Sequence, residues 1–204
     1  MKAIMMSIKP QHVANILNEL KTLEIRKRFP SDYVGWVYIY CTKDGYLSEN
    51  DLNPYTKYFA IRHKPRLTPN YMRGRVVARF WCDKVEDYVY GHKWSWESGA
   101  PMWGADNSYE TILKDMCLTD EELRAYVDDL CFSAIHITKL EIFDRPKEIS
   151  DFKRPKWEKC GVKDKNGLYQ CHKCPYAIHY GHGFGDCGYD KPLKAPQSWC
   201  YVEV

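Results

Sequence analysis

Pro10-Gln11-His12-Val13-Ala14-Asn15-Ile16-Leu17-Asn18-Glu19-Leu20-Lys21-Thr22-Leu23-Glu24-Ile25-Arg26 changes its hydrophobic period half-way along, and that change sets the reading of the chain. Pro10 suits the first turn of a helix, and apolar residues at 13, 14, 16, 17 and 20 mark one helical face. From Thr22 the alternation has period two, with Leu23 and Ile25 on one side and Thr22, Glu24 and Arg26 on the other. A short amphipathic helix therefore feeds a strand, with Lys21 at the junction and Lys27 and Arg28 just beyond.

Outward from this stretch the chain reads mainly as strands. Val34 to Cys41 is a near-continuous apolar run that reads as a buried strand, Gly74 to Cys82 is another strand, and Ser133 to Phe143 is a third, closed by Asp144-Arg145-Pro146. Thr119 with Glu122 forms a capping-box pattern that starts a helix running to about Asp129. Ser198 to Val204 makes a last short strand. Residues 43–72 and 91–108 read as long loops, the second rich in Trp. Too few crossover helices separate the strands for a doubly wound sheet, so the expected class is α+β, a small β-barrel with two or three peripheral helices. The expected division is one domain over 1–150 together with 191–204, interrupted by a Cys-rich insertion at 151–190.

At 204 residues, 45% apolar and 28% charged, the composition is that of a folded globule and excludes extended disorder. No apolar run reaches 18 residues, and the apolar stretch before Lys9 is too brief for a secretory leader, so a cytoplasmic protein that spans no membrane is expected. The net charge of +3 hides a division. Residues 1–80 carry 14 Lys/Arg against 6 Asp/Glu (+8), whereas residues 81–150 carry 7 against 15 (−8). A positive face for a phosphate-rich partner is one reading, and an evenly interleaved surface is the other. Arg62-His63-Lys64-Pro65-Arg66 is the densest basic tract, and Trp94, Trp96 and Trp103 could stack bases or cover a core edge.

Lys21, Glu24 and Arg26 bring two cations and a carboxylate into one short span. Such a set can hold an anion with its cations while the carboxylate orients the lysine or serves as a base. The alternative is a solvated edge strand with exposed charge pairs.

Cysteines form a second constellation. Cys41, Cys82, Cys117 and Cys131 lie in apolar stretches and read as buried free thiols, but five of the nine crowd into 160–200. Cys160, Cys171, Cys174 and Cys187 have the spacing C-x10-C-x2-C-x12-C, with His172, His179 and His182 as spare ligands. A C-x2-C knuckle with two outlying cysteines completes a tetrahedron, so structural zinc is expected; an iron–sulfur cluster and a metal-free loop are the other readings.

Taken together, these stretches resemble a known family. Ile16-Leu17-Asn18-Glu19-Leu20-Lys21-Thr22-Leu23-Glu24-Ile25-Arg26 is similar to the I-L-x-G-x-K-T-x-E-x-R signature of ASCH domains, with Glu19 where that family usually has Gly. Ser7-Ile8-Lys9-Pro10 sits where the family has its opening strand and helix start, and Ile135 to Ile149 resembles its later strand. Pro196-Gln197-Ser198-Trp199-Cys200-Tyr201-Val202 is similar to the P-Q-S-W-x-Y-V ending of longer members, often carried by bacteriophages.

The resemblance implies a PUA-like barrel with a cleft lined by Lys21, Glu24 and Arg26, and RNA or a nucleotide as the ligand. Lys9, Thr22, Arg28, Ser198 and Trp199 complete the implied binding set. Some short members hydrolyse an acetylated cytidine with a lysine at the position of Lys21, but they have Thr at the position of Glu24. The implied alternative is thus a hydrolase acting on a modified nucleoside or on RNA, with Lys21 and Glu24 as the reacting pair and Arg26 beside them. A further reading is a protein that engages a host protein through the loops at 43–72 and 91–108.

Overall fold

The computed structural model describes residues 2–43, 72–89, 109–127, 131–156, 165, 177–180, 183–187 and 193–203. Its framework is two β-sheets. The first holds, in chain order, β1 (Lys2–Ile8), β3 (Gly35–Cys41), β4 (Val76–Cys82), β7 (Thr138–Lys147) and β10 (Trp199–Glu203). In space their order is β10-β1-β3-β4-β7, and only β1 and β3 are parallel. The second is an antiparallel sheet of β2 (Leu23–Arg26), β6 (Cys131–His136) and β5 (Val85–Val89), in the order β2-β6-β5. Three helices pack at the periphery: α1 (Pro10–Leu17), α2 (Tyr109–Met116) and α3 (Asp120–Tyr126). Among the described residues this is the α+β class expected from the sequence.

The parallel pair β1/β3 is buried on both faces, which is why both strands are almost uniformly apolar. Ile4, Met6 and Ile8 face Val13, Ile16 and Leu17 of α1, in one core with Val37, Ile39 and Phe80. Ala3 and Met5 face the other way, toward Tyr38, Tyr40, Phe152 and Leu193. A third core lies between the second sheet and α2 and α3, where Leu23 and Ile25 meet Ile112, Met116, Leu123 and Phe132. The capping box at α3 forms as its sequence predicts: Glu122 N–H donates to Thr119 Oγ1, and Thr119 N–H to Glu122 Oε2.

The stretch 133–143 is not one strand. β6 and β7 belong to different sheets, and the chain changes sheet at Ile137, whose N–H donates to Thr22 O (2.9 Å). Nor do Asp144-Arg145-Pro146 close the strand, because β7 runs on to Lys147; as an edge strand it tolerates a residue that cannot donate. Of the expected loops, residues 44–71 and 91–108 lie outside the described residues. In the Cys-rich segment only the backbone of an antiparallel pair, β8 (Ala177–Tyr180) with β9 (Gly183–Cys187), is described besides the single residue 165 and residues 151–156.

Helix α1 ends in a Schellman motif. Glu19 N–H donates to Ile16 O and Leu20 N–H to Asn15 O, each at 2.9 Å, which requires Glu19 in the left-handed region (φ 59). An L side chain there is strained, and the exposed Glu19 has no buried packing to offset it. Glu19→Gly is expected to stabilise the fold by about 1 kcal/mol. A urea midpoint that rises relative to wild type, while Glu19→Ala leaves it unmoved, is the expected result; a fall with Glu19→Gly contradicts it.

Candidate functional site

The Schellman turn of α1 delivers Lys21 to the end of another helix. Helix α2 closes with the same motif: Cys117 takes φ 50, Cys117 N–H donates to Lys114 O, and Leu118 N–H donates to Leu113 O. That leaves the carbonyls of Asp115 and Met116 open. Thr22 N–H fills the first at 2.9 Å, and Lys21 Nζ fills the second at 2.6 Å. A cation at a helix C-terminus also meets the negative end of the helix dipole.

Strand β2 then turns Glu24 and Arg26 inward. Glu24 Oε2 lies 3.5 Å from Lys21 Nζ, and Glu24 Oε1 lies 3.0 Å from Arg26 Nη2. Arg26 Nη2 also donates to Ser7 O at 2.7 Å. All three charged residues are buried, Lys21 at 2% exposure, Glu24 at 5% and Arg26 at 8%. The solvated-edge reading is thereby overturned: β2 is an edge strand, but α1, α2 and β1 enclose its charges. Across the sheet, Arg26 is in register with the buried Ser133, which donates to Asp87 Oδ1 (2.7 Å).

The electrostatics follow from this enclosure. Burial draws the Lys21 ammonium below the ordinary lysine range, against the pull of Glu24. Burial works to raise the Glu24 carboxyl, but Lys21, Arg26 and His12 outweigh it and hold the group below its usual range. His12, on α1, is lowered to about 4 by burial and then by Lys21, so it is neutral at pH 7. Three buried polar atoms here have no hydrogen-bond partner among the described residues: His12 Nδ1, Glu24 Oε2 and Arg26 Nε. His12 is the residue that sequence reasoning missed, since nothing in its helical position separates it from an ordinary polar side chain.

The remaining expected residues sit at the margin. The side chains of Lys9, Thr22 and Arg28 are exposed, and Ser198 and Trp199 are half-buried. The C-terminal segment nevertheless reaches the cluster through Ser7, whose N–H donates to Ser198 O (2.9 Å) and whose hydroxyl donates to Pro196 O (2.6 Å). Trp199 Nε1 donates to Arg28 O at 2.8 Å, and its ring packs edge-on against Phe29. Thr22 contributes its backbone, on one side to Asp115 and on the other to Ile137.

The expected zinc ligands Cys160, Cys171 and Cys174 lie outside the described residues, as does the side chain of Cys187. Among the described residues no group of three or more His, Cys, Asp or Glu is placed to hold a metal ion. Cys41, Cys82 and Cys117 are buried free thiols, as read from the sequence, and burial pushes Cys41 up to about 12 and Cys82 up to about 11. No described helix is long and apolar enough to cross a membrane.

No family model and no curated protein matches the chain. Among solved structures it is similar to an ASCH protein from Zymomonas mobilis, at 13% identity and a TM-score of 0.44, over 98% of this chain and 87% of that one. Two single-substitution variants of the same Zymomonas protein match at 13% identity as well. One has a TM-score of 0.47 over 98% of this chain and 88% of the other, and the second has 0.45 over 72% and 76%.

The depressed His12 pKa gives stability a pH dependence with a definite sign. Between the unfolded value near 6.5 and the folded value of about 4, the unfolded chain binds the proton and the native one does not. Stability is therefore full above pH 6.5 and falls as pH drops toward 4. From pH 7 to pH 5 the expected loss from His12 is about 2 kcal/mol. Urea unfolding at the two pH values checks it: His12→Gln should flatten the slope, and an unaltered slope would refute the assignment.

Proposed function

We propose that this chain binds RNA or a nucleotide at the Lys21–Glu24–Arg26 cluster. The observation that carries the reading is an enclosed group of charges in which His12 Nδ1, Glu24 Oε2 and Arg26 Nε lack a hydrogen bond among the described residues, Glu24 Oε2 having only its ion pair with Lys21 at 3.5 Å. Buried polar atoms are ordinarily hydrogen-bonded, and a polar ligand can supply the bonds that these lack. The resemblance of the 16–26 stretch to the ASCH signature and the +8 balance of residues 1–80 support a phosphate-bearing ligand.

Fluorescence anisotropy with a labelled single-stranded RNA at low ionic strength tests this. Lys21→Ala would also uncap α2 and leave a carboxylate short of a partner, so Arg26→Lys is the cleaner variant: it keeps the charge and removes Nε. Saturable binding that weakens at least tenfold in Arg26→Lys, with thermal melting showing an intact fold, is expected. Absence of binding, or equal binding by the variant, would overturn the reading.

One observation favours a hydrolytic reading of the same cluster: burial moves Lys21 toward the neutral amine, and a carboxylate stands 3.5 Å from it. On this reading, RNA incubated with the protein yields a changed nucleoside or a cut strand by mass spectrometry. The product disappears with Glu24→Gln. Unchanged RNA at enzyme-equivalent concentration removes hydrolysis and leaves binding.

A further inference from the structure

The first sheet carries a second cluster, on the face turned away from α1. Trp36 and Tyr38 of β3 lie in register with Trp81 and Arg79 of β4, and Arg79 lies in register with Glu141 of β7. Arg79 Cζ sits over the Trp36 ring, 4.0 Å from its centroid. Nε and Nη2 of Arg79 each donate to Glu141 Oε2 at 2.7 Å, and Nη1 donates to the Tyr38 hydroxyl at 3.2 Å. With all three nitrogens bonded at the rim, the guanidinium plane is held against the indole. The Tyr38 ring stands aside, its centroid 5.9 Å from Cζ. The face of the plane opposite Trp36 meets no partner among the described residues, and the Arg79 side chain is 30% exposed.

Cations flank this plane along β7, one before Glu141 and one after it. Lys139 and Lys147 are exposed; the first has Nζ 5.7 Å from the Trp81 ring centroid, and the second has Nζ 4.9 Å from that of Phe143. Glu141 is already paired with Arg79, and Glu148 with Arg75. The register of β4 with β7 slips between Arg79 and Trp81, and Lys139 beside that slip takes φ 44. Glycine would be at ease there, whereas an L side chain is strained.

We propose that the open face of Arg79 stacks a base of a single-stranded nucleic acid, whose phosphates meet Lys139 and Lys147. A guanidinium fixed over an indole offers a flat cationic surface to the π-face of any base, and the two lysines give the backbone a path. An acidic protein would use the lysines and leave the plane bare, and a duplex has its base faces covered by their own neighbours. Recognition at this surface is of an unpaired strand, without preference for sequence. The surface is separate from the Lys21 cluster and does not depend on it.

Fluorescence anisotropy over a salt series tests this with a labelled oligouridine and a duplex of the same length. The single strand is expected to bind more tightly than the duplex. Arg79→Lys keeps the charge and loses the plane, and should weaken single-strand binding about tenfold. Lys139→Gly relieves the backbone, so its urea midpoint should be no lower than that of wild type. It should nevertheless lower the slope of log affinity against log salt by about 0.7. Equal binding by Arg79→Lys, an unchanged slope in Lys139→Gly, or a duplex held as tightly as the strand overturns the platform. Weakened binding in Arg79→Lys with full binding in Arg26→Lys supports the platform and overturns the buried-cluster reading; the reverse pattern overturns the platform alone. If the wild-type protein binds no strand, both fall together.

Discussion

A buried chain of charge, from the Met116 carbonyl through Lys21, Glu24 and Arg26 to the Ser7 carbonyl, ties together elements from separate parts of the chain. It joins the C-terminus of α2 to β2 and to the central strand pair of the first sheet. Removing either cation would leave the buried carboxylate one partner short, and removing the carboxylate would leave two buried cations without their shared counter-ion. The helix ends, the strand β2 and the start of β1 are therefore mutually fixed. The two Schellman turns make this possible, because each reverses its chain sharply enough to set Lys21 against the end of α2.

That arrangement explains why charges occupy a strand whose neighbours are apolar. Leu23 and Ile25 belong to the core under α2 and α3, whereas Glu24 and Arg26 point to the opposite face, where α1 and β1 would otherwise meet only apolar surface. Three apolar side chains could fill the same volume, and replacements of that kind are often neutral or stabilising elsewhere. What the charges add is a fixed set of donors and acceptors in a low-dielectric setting.

Much of this was legible in residue order. Pro10 and the 3.6-residue spacing located α1, the switch to period two located β2, and Thr119 with Glu122 marked α3. Other elements escaped for identifiable reasons. Val85–Val89 has no apolar run to mark it, because Glu86 and Asp87 interrupt the pattern, although Tyr88 packs into the core. Helix α2 has only Ile112 and Met116 fully buried, too narrow a stripe to stand out beside an aromatic-rich loop. The break at Ile137 was invisible because a strand that changes sheet keeps its period; only the partners differ. At the site, the pattern found the charges, but burial, the helix end that Lys21 caps and the contribution of His12 depend on which elements meet in space.

Strand β1 lies between β10 and β3, and Ser7 holds Pro196 across 189 residues of sequence. Contacts of that span are costly to close and form late. β1 pairs with β3 over a short separation in sequence, but its other edge is covered only by the distant β10. The Ser7 backbone that accepts from Arg26 is thus braced on its other side by a segment far along the chain, so a change near Ser198 is felt at the buried charges.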